Sequence, residues 1–216
     1  LLPQVFTDTL VIGAGVAGLR SAIAAAECGE VIVLAKGELS DSNTAWAQGG
    51  VASELPESPK GDFEAHIRDT LVCGAGMCDA PVVRRVVEGG PARMSELLEW
   101  GIVLDKDAQG KLAVGREGGH SAARVFHAMG DATGRELARC LIDRARSLGA
   151  IRIFDHCFAL DLITPSAEPG SPVIGAITWH PKFGLQMLWA ESTILASGGA
   201  GQIYRETTNP RVATAD

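Results

Sequence analysis

Apolar and polar positions change period several times along the chain, and each change marks a predicted element. Thr9-Leu10-Val11-Ile12 is a short apolar run, the mark of a strand covered on both faces. Gly13-Ala14-Gly15-Val16-Ala17-Gly18 follows as a turn, and residues 19–28 form an Ala-rich helix with Leu19 and Ile23 on one face. Val31-Ile32-Val33-Leu34 predicts the next strand. Residues 37–53 have neither period and read as a long loop, and residues 55–60 as a Pro/Ser linker. Three helices are then expected. The first, residues 62–73, is capped by Asp62 and carries Phe63, Ile67 and Leu71 in register. The second is capped by Asp79, has Pro81 in its first turn and ends at Gly89-Gly90; the third runs from Pro91 to a stop at Gly101.

Residues 102–104 and 112–114 frame a small hairpin around Asp107-Ala108-Gln109-Gly110. Thr133-Gly134-Arg135-Glu136 reads as a capping box opening a helix that Gly149 closes. Residues 151–154, 158–164, 173–179, 184–189 and 192–196 read as five further strands. Strand, helix, strand predicts a parallel sheet with right-handed crossovers, and the later, closely spaced strands an antiparallel meander. The class is therefore α/β, Rossmann-like, with a parallel sheet plus an antiparallel β-meander in one domain over residues 1–216.

Composition narrows the setting. With 46% apolar and 21% charged residues the chain is an ordinary globular one, and its net charge of -7 comes without a long run of one sign. That argues against a nucleic-acid surface and against an anionic membrane. No window has the apolar length of a transmembrane helix, and the first six residues are too short for a signal peptide, so a soluble, cytoplasmic protein is expected. The five cysteines are odd in number and scattered, and Cys73 and Cys78 lack the companions of a metal site, so structural thiols and no metal are expected. The chain starts at Leu1 and stops at Asp216 just after Thr207-Thr208-Asn209-Pro210, which reads as a piece of a longer protein.

Candidate chemistry begins at the first turn. Gly13 permits a tight turn, Gly15 lets backbone approach a pyrophosphate, Gly18 lets helix and strand pack, and the helix N-terminus offers N–H donors. The alternative is a glycine turn without a ligand. After the second strand Lys36 stands where an acidic residue would hold ribose hydroxyls, so a 2′-phosphate reading stays open. The small and amide residues from Asn43 through Thr44, Ala45, Trp46, Ala47, Gln48, Gly49 and Gly50 suit close backbone contact with a planar or phosphate-bearing ligand, or form a surface loop. Arg116-Glu117-Gly118-Gly119-His120-Ser121, with Arg124 and His127 behind, gathers ionisable groups on a turned backbone, either as a site for a small charged substrate or as solvated charges. Ser197-Gly198-Gly199-Ala200-Gly201 is a second glycine turn at a strand end, again ligand territory in an open α/β sheet.

The order of these motifs resembles the flavoprotein family of fumarate reductase, succinate dehydrogenase and L-aspartate oxidase: Gly13 to Gly18, Ala47-Gln48-Gly49-Gly50, the Arg116 to Ser121 loop, Gly130-Asp131-Ala132-Thr133-Gly134, the Ser197 to Gly201 turn and Thr207-Thr208-Asn209-Pro210. The resemblance implies a Rossmann-like FAD-binding fold and FAD as cofactor, which removes the 2′-phosphate reading of Lys36. It implies that Gly13, Ala14, Gly15, Val16, Ala17 and Gly18 lie at the pyrophosphate and that Lys36 meets the FAD. It further implies that Asn43 to Gly50 run along the ribityl and flavin portions, that Phe158 and Ala159 approach the adenine, and that Asp216 contacts the cofactor. Ala215 departs from the Gly expected beside Asp216.

Two positions separate the branches of that family. Asn43 stands where succinate dehydrogenases carry the His that bonds covalently to flavin, which implies non-covalent FAD here. The Arg116 to Ser121 loop is similar to the aspartate oxidase version, in which Glu117 faces the substrate amino group. Charge agrees, because L-aspartate offers an ammonium and succinate does not. The implied activity is oxidation of L-aspartate to iminoaspartate on the route to quinolinate and NAD, with electrons passing to O2 or fumarate and handover to quinolinate synthase. The capping domain, the helical domain and the residues that clamp the dicarboxylate would lie beyond Asp216, leaving the chain inactive alone. The alternatives are a soluble fumarate reductase or a succinate dehydrogenase flavoprotein subunit, and a non-catalytic flavin-binding module.

Overall fold

The computed structural model describes residues 2–55 and 60–214. In chain order the elements are β1 (Gln4–Ile12), α1 (Val16–Ala25), β2 (Val31–Leu34), α2 (Asn43–Trp46), β3 (Val51–Ala52), α3 (Lys60–Cys73), α4 (Ala80–Glu99), β4 (Val114–Gly115), β5 (Val125–Phe126), α5 (Thr133–Ser147), β6 (Ile151–Phe154), β7 (Phe158–Ile163), β8 (Gly175–His180) and β9 (Gly184–Leu195), then a 3-10 turn at Gly201–Ile203. They form two compact units, Leu1–Trp46 with Leu137–Asp216, and Ala47–Glu136, the division falling inside α5.

The first unit is built on a six-stranded sheet of order β6-β2-β1-β9-β8-β7. Strands β6, β2, β1 and β9 are parallel, and β9, β8 and β7 run antiparallel as the meander. Leu10, Val11, Val31, Ile32 and Val33 are fully buried, as expected of apolar runs covered on both faces. Leu10, Ile32, Leu34, Cys157, Ala176, Leu188 and Ala190 form one core cluster across the sheet.

Two strands run longer than their apolar runs indicate. β1 begins at Gln4, and its residues 4–8 alternate between exposed and half-buried. It pairs with β9 from Gln4↔Met187 onward but with β2 only from Thr9↔Val31, so its first half is covered less completely. The strands expected at 184–189 and 192–196 are one strand, β9, because pairing to β1 carries the backbone past the exposed Glu191 and Ser192. α1 opens at Val16, three residues earlier than expected, and Asn43–Trp46 is a helical turn where a loop is predicted.

The second unit packs α3 against α4 beside the small sheet β3-β5-β4. Its buried apolar residues include Ile67, Val87, Met94, Leu104, Val125 and Phe126. Asp79 caps α4 as predicted, its Oδ1 accepting from the Val82 N–H at 3.1 Å. The two helices expected on either side of Gly89-Gly90-Pro91 are one, because Val87, Pro91 and Met94 fall on one buried stripe. Asp62 lies inside α3 instead of capping it. The turn at residues 107–110 forms, with Asp107 Oδ1 accepting from the Gln109 and Lys111 N–H groups, but residues 102–104 make no strand. The capping box is replaced by longer-range contacts: Thr133 Oγ1 donates to the Gly49 carbonyl at 2.6 Å, and Glu136 Oε1 accepts from the Val103 N–H at 2.6 Å. Of the linker predicted at residues 55–60, residues 56–59 lie outside the described residues.

Candidate functional site

In the first unit Ile12, Leu34 and Leu195, the last residues of β1, β2 and β9, open onto a cavity of about 590 Å³. It is the crevice outside the carboxyl ends of parallel strands where open α/β sheets take ligands. Gly13, Ala14, Gly15, Val16 and Ala17 line it, with Lys36, Asn43, Thr44, Phe158 and Ala159. Ten of the residues singled out from the sequence are thus brought together. The Ser197 and Gly198 of the second glycine turn join them. Sequence reasoning missed Ala35, Leu39, Asp41, Cys157, Asp161, Val212 and Ala213, which also line the cavity and carry no motif. Ala35, Leu39 and Asp41 sit on the segment that carries Lys36 and Asn43, while strand register and the return of the chain after Pro210 bring the others there.

The glycines divide the work. A Cβ on Gly13 (φ +114°) would strike the Ala196 carbonyl, and one on Gly18 would strike the carbonyl of Gly13. Those two therefore serve the packing of turn, helix and β9, and Gly18 itself does not line the cavity. A Cβ on Gly15 would approach only Thr44 Oγ1, at 3.4 Å. Thr44 Oγ1 accepts from the Val16 N–H at 2.9 Å, and Lys36 Nζ donates to Thr214 Oγ1 at 2.6 Å. Burial pushes the Cys157 thiol up, so it lines the cavity as a neutral group. Ala45 and Trp46 do not line the cavity, and Trp46 is exposed. Asp216 lies outside the described residues.

The second unit holds Ala47, Gln48, Gly49, Gly50 and Glu117. The Ala47 carbonyl accepts from the Gly134 N–H at 3.2 Å, and Gln48 is exposed. Gly50 is hemmed by β5: a Cβ there would strike Val125 Cγ1, lie 2.5 Å from the Phe126 carbonyl and 2.8 Å from His127 Nε2. Glu117 sits between β4 and β5 with its carboxylate half exposed, and its Oε1 lies 2.7 Å from His127 Nε2.

Behind this loop is a buried ionic network that the sequence did not reveal. Arg124 donates from Nη1 to Asp69 Oδ2 at 2.8 Å, and the same nitrogen lies 3.1 Å from His120 Nδ1. Arg124 Nε is 3.1 Å from Glu54 Oε1, close enough for an ion pair but outside hydrogen-bond geometry, while Glu54 Oε2 meets His66 Nδ1 at 3.0 Å. Asp69 Oδ2 also accepts from the Ser121 N–H and hydroxyl, each at 2.7 Å. The Ser121 N–H, its hydroxyl and the Arg124 guanidinium hold the Asp69 carboxyl well below the usual carboxylate range. His66 and Asp69, three apart on α3, are neighbours on that helix but lie off its Phe63, Ile67 and Leu71 stripe, so no pattern in the sequence marked them.

A family model described as an FAD binding domain matches residues 8–216. The chain belongs to the FAD-binding domain family. This FAD-binding domain is 44% identical over 212 residues to the chloroplastic L-aspartate oxidase of Arabidopsis thaliana, covering 98% of the chain and 32% of the relative. It is 41% identical to the L-aspartate oxidase of Streptomyces coelicolor, covering 97% and 36%. The chain spans about a third of the length of these curated relatives. Among solved structures, an E. coli quinol fumarate reductase superposes with a TM-score of 0.87 at 30% identity, over 98% of this chain and 36% of that one. Mycobacterium smegmatis Sdh1 gives a TM-score of 0.88 at 28% identity, over 100% and 37%. No helix among the described residues is long and apolar enough to cross a membrane.

Proposed function

We propose that this FAD-binding domain is the flavin-holding portion of an L-aspartate oxidase that converts L-aspartate to iminoaspartate. The observation that carries the reading is Glu117, a carboxylate presented on a glycine turn in a chain whose curated relatives bear that name. A carboxylate there pairs with an α-ammonium and repels a substrate that brings only carboxylates.

The cavity of the first unit fits the cofactor. Gly15 leaves room beside the N-terminus of α1, whose dipole and the N–H groups that follow Val16 favour a diphosphate, and Lys36 adds a cation. Bound FAD would supply the acceptor for the hydride. Gly13, Ala14, Gly15, Val16 and Ala17 would hold the diphosphate, with Gly18 packing α1 close behind them, Phe158 and Ala159 the adenine, and Asn43 to Gly50 the ribityl and flavin portions, with Lys36 and Asp216 as further contacts. Asn43 has no ring nitrogen to bond to flavin, so the cofactor is held non-covalently. The whole of residues 1–216 counts as flavin domain, and the capping and helical domains belong to the remaining length of the protein. The same reading places the enzyme in the cytoplasm and passes its product to quinolinate synthase.

The test uses a protein carrying this chain at the length of its curated relatives. L-aspartate and succinate are added separately under anaerobic conditions while flavin absorbance is followed. Bleaching by L-aspartate alone is expected. The similarity to quinol fumarate reductase keeps a second reading, and bleaching by succinate alone would move the assignment there. No bleaching by either would leave a flavin-binding module without this chemistry.

A further inference from the structure

We propose that His127 is a positioning residue for the reaction: its imidazole fixes the Glu117 carboxylate so that one oxygen is occupied and the other is left for the substrate ammonium. This inference rests on the L-aspartate oxidase reading. Glu117 lies on a loop with two glycines, and a free Glu side chain there would sample many rotamers. His127 Nε2, at 2.7 Å from Oε1, removes that freedom. A carboxylate only accepts, so Nε2 carries the proton in this bond. Among the described residues Oε2 makes no hydrogen bond, and with the Glu117 side chain 48% exposed it remains able to accept from a ligand.

The imidazole is itself fixed. Val125 and Phe126, the two residues before it, pair with Gly115 and Val51 on either side, which sets its backbone. Its carbonyl accepts from the Asp105 N–H at 2.8 Å. Gly50 and Gly115 then flank the ring: a Cβ on Gly50 would lie 2.8 Å from Nε2 and one on Gly115 would lie 3.0 Å from Cε1. Glycine at both positions gives the ring its slot. The ring is three-quarters covered while the carboxylate it holds is half exposed, the arrangement of a support beneath a ligand-facing group.

A merely structural His127 would weaken every ligand alike, whereas a residue acting through Glu117 weakens only ligands with an ammonium, because the same carboxylate repels a ligand that brings only carboxylates. The test compares His127→Ala, His127→Asn and His127→Gln in the protein at the length of its relatives, loaded with FAD. The Gln amide nitrogen reaches the position of Nε2, and the Asn amide fills the slot without reaching Glu117. His127→Ala and His127→Asn are expected to raise KM for L-aspartate about tenfold, with kcat changed less and succinate inhibiting no more weakly than before. His127→Gln is expected to recover most of the loss. Glu117→Gln combined with His127→Ala is expected to be no worse than Glu117→Gln alone, because the second change acts only through the first. An unchanged KM in His127→Asn, an equal loss of succinate affinity, or additive effects in the double variant would overturn the proposal. If His127→Ala fails to fold, the Asn and Gln comparison decides. If the unaltered enzyme is not bleached by L-aspartate, the functional reading fails first, which keeps the two failures apart.

Discussion

Asp69 shows how much of the candidate site hangs on single residues remote from any motif. It sits 52 positions from Ser121 in sequence, yet its carboxylate receives two hydrogen bonds from that residue and a third from Arg124. Its folded pKa is depressed below the ordinary 3.8, so its contribution to stability is fully present above that value and is lost as pH falls toward the folded one. In urea titrations Asp69→Asn should be less stable than the parent at pH 6, and the gap should narrow steadily between about pH 4 and pH 2.5. A gap that stays constant over that range would remove Asp69 from its role. The Arg-Glu-Gly-Gly-His-Ser loop was legible in the sequence, because glycines beside ionisable groups are visible as a string. Glu54, His66 and Asp69 were not, because a buried charge differs from a solvated one only in what surrounds it.

Among the elements, α4 departs furthest from its sequence signals. Gly89, Gly90 and Pro91 together are a strong break, yet the helix runs through them for 20 residues. Burying Val87, Pro91 and Met94 along one stripe outweighs the local penalties of glycine and proline. Those penalties persist and are measurable. Gly89 has open space where a Cβ would stand, so Gly89→Ala should stabilise the chain by about 0.5–1 kcal/mol in thermal or urea unfolding. At Gly90 a Cβ would lie 2.9 Å from Ser53 Oγ, which is bonded to the Glu54 carbonyl, so Gly90→Ala should gain less or lose stability. Equal gains at both sites would contradict the packing described for α4. Thr133 and Glu136 teach the same lesson in reverse: their spacing matches a capping box, and both side chains bond to other segments instead.

Over the whole molecule, the pairing that joins the two ends of the chain governs the first unit. β1 and β9 are paired along their length, from Gln4↔Met187 to Ile12↔Leu195, and they stand between the parallel half and the meander. Contacts so distant in sequence form late and, once formed, open together. In native-state hydrogen exchange the amides of Leu10, Val11 and Leu188 should be among the slowest and should exchange in concert, and those of the edge strand β7 should be faster. Slow exchange in β7 alongside rapid exchange in β1 would overturn this order. The glycine-rich turn owes its place to the same pairing, since Gly13 packs on the Ala196 carbonyl at the far end of β9.

By itself the sequence determined what depends on local order. The apolar runs at residues 9–12 and 31–34 made strands, Asp79 capped a helix, the glycine spacing fixed the tight turn and helix approach, and the ordered motifs identified a flavin-binding fold. Each rests on interactions within a few residues, or on motif order that is written in the string. Tertiary structure alone decided that Ala35, Cys157, Asp161 and Val212 share one cavity, that β9 is a single strand, that α4 crosses its breakers, and that His127 grips Glu117 between two glycines. Those outcomes come from burial and pairing between distant segments, whose energies exceed local propensity and leave no mark on the spacing of neighbouring residues.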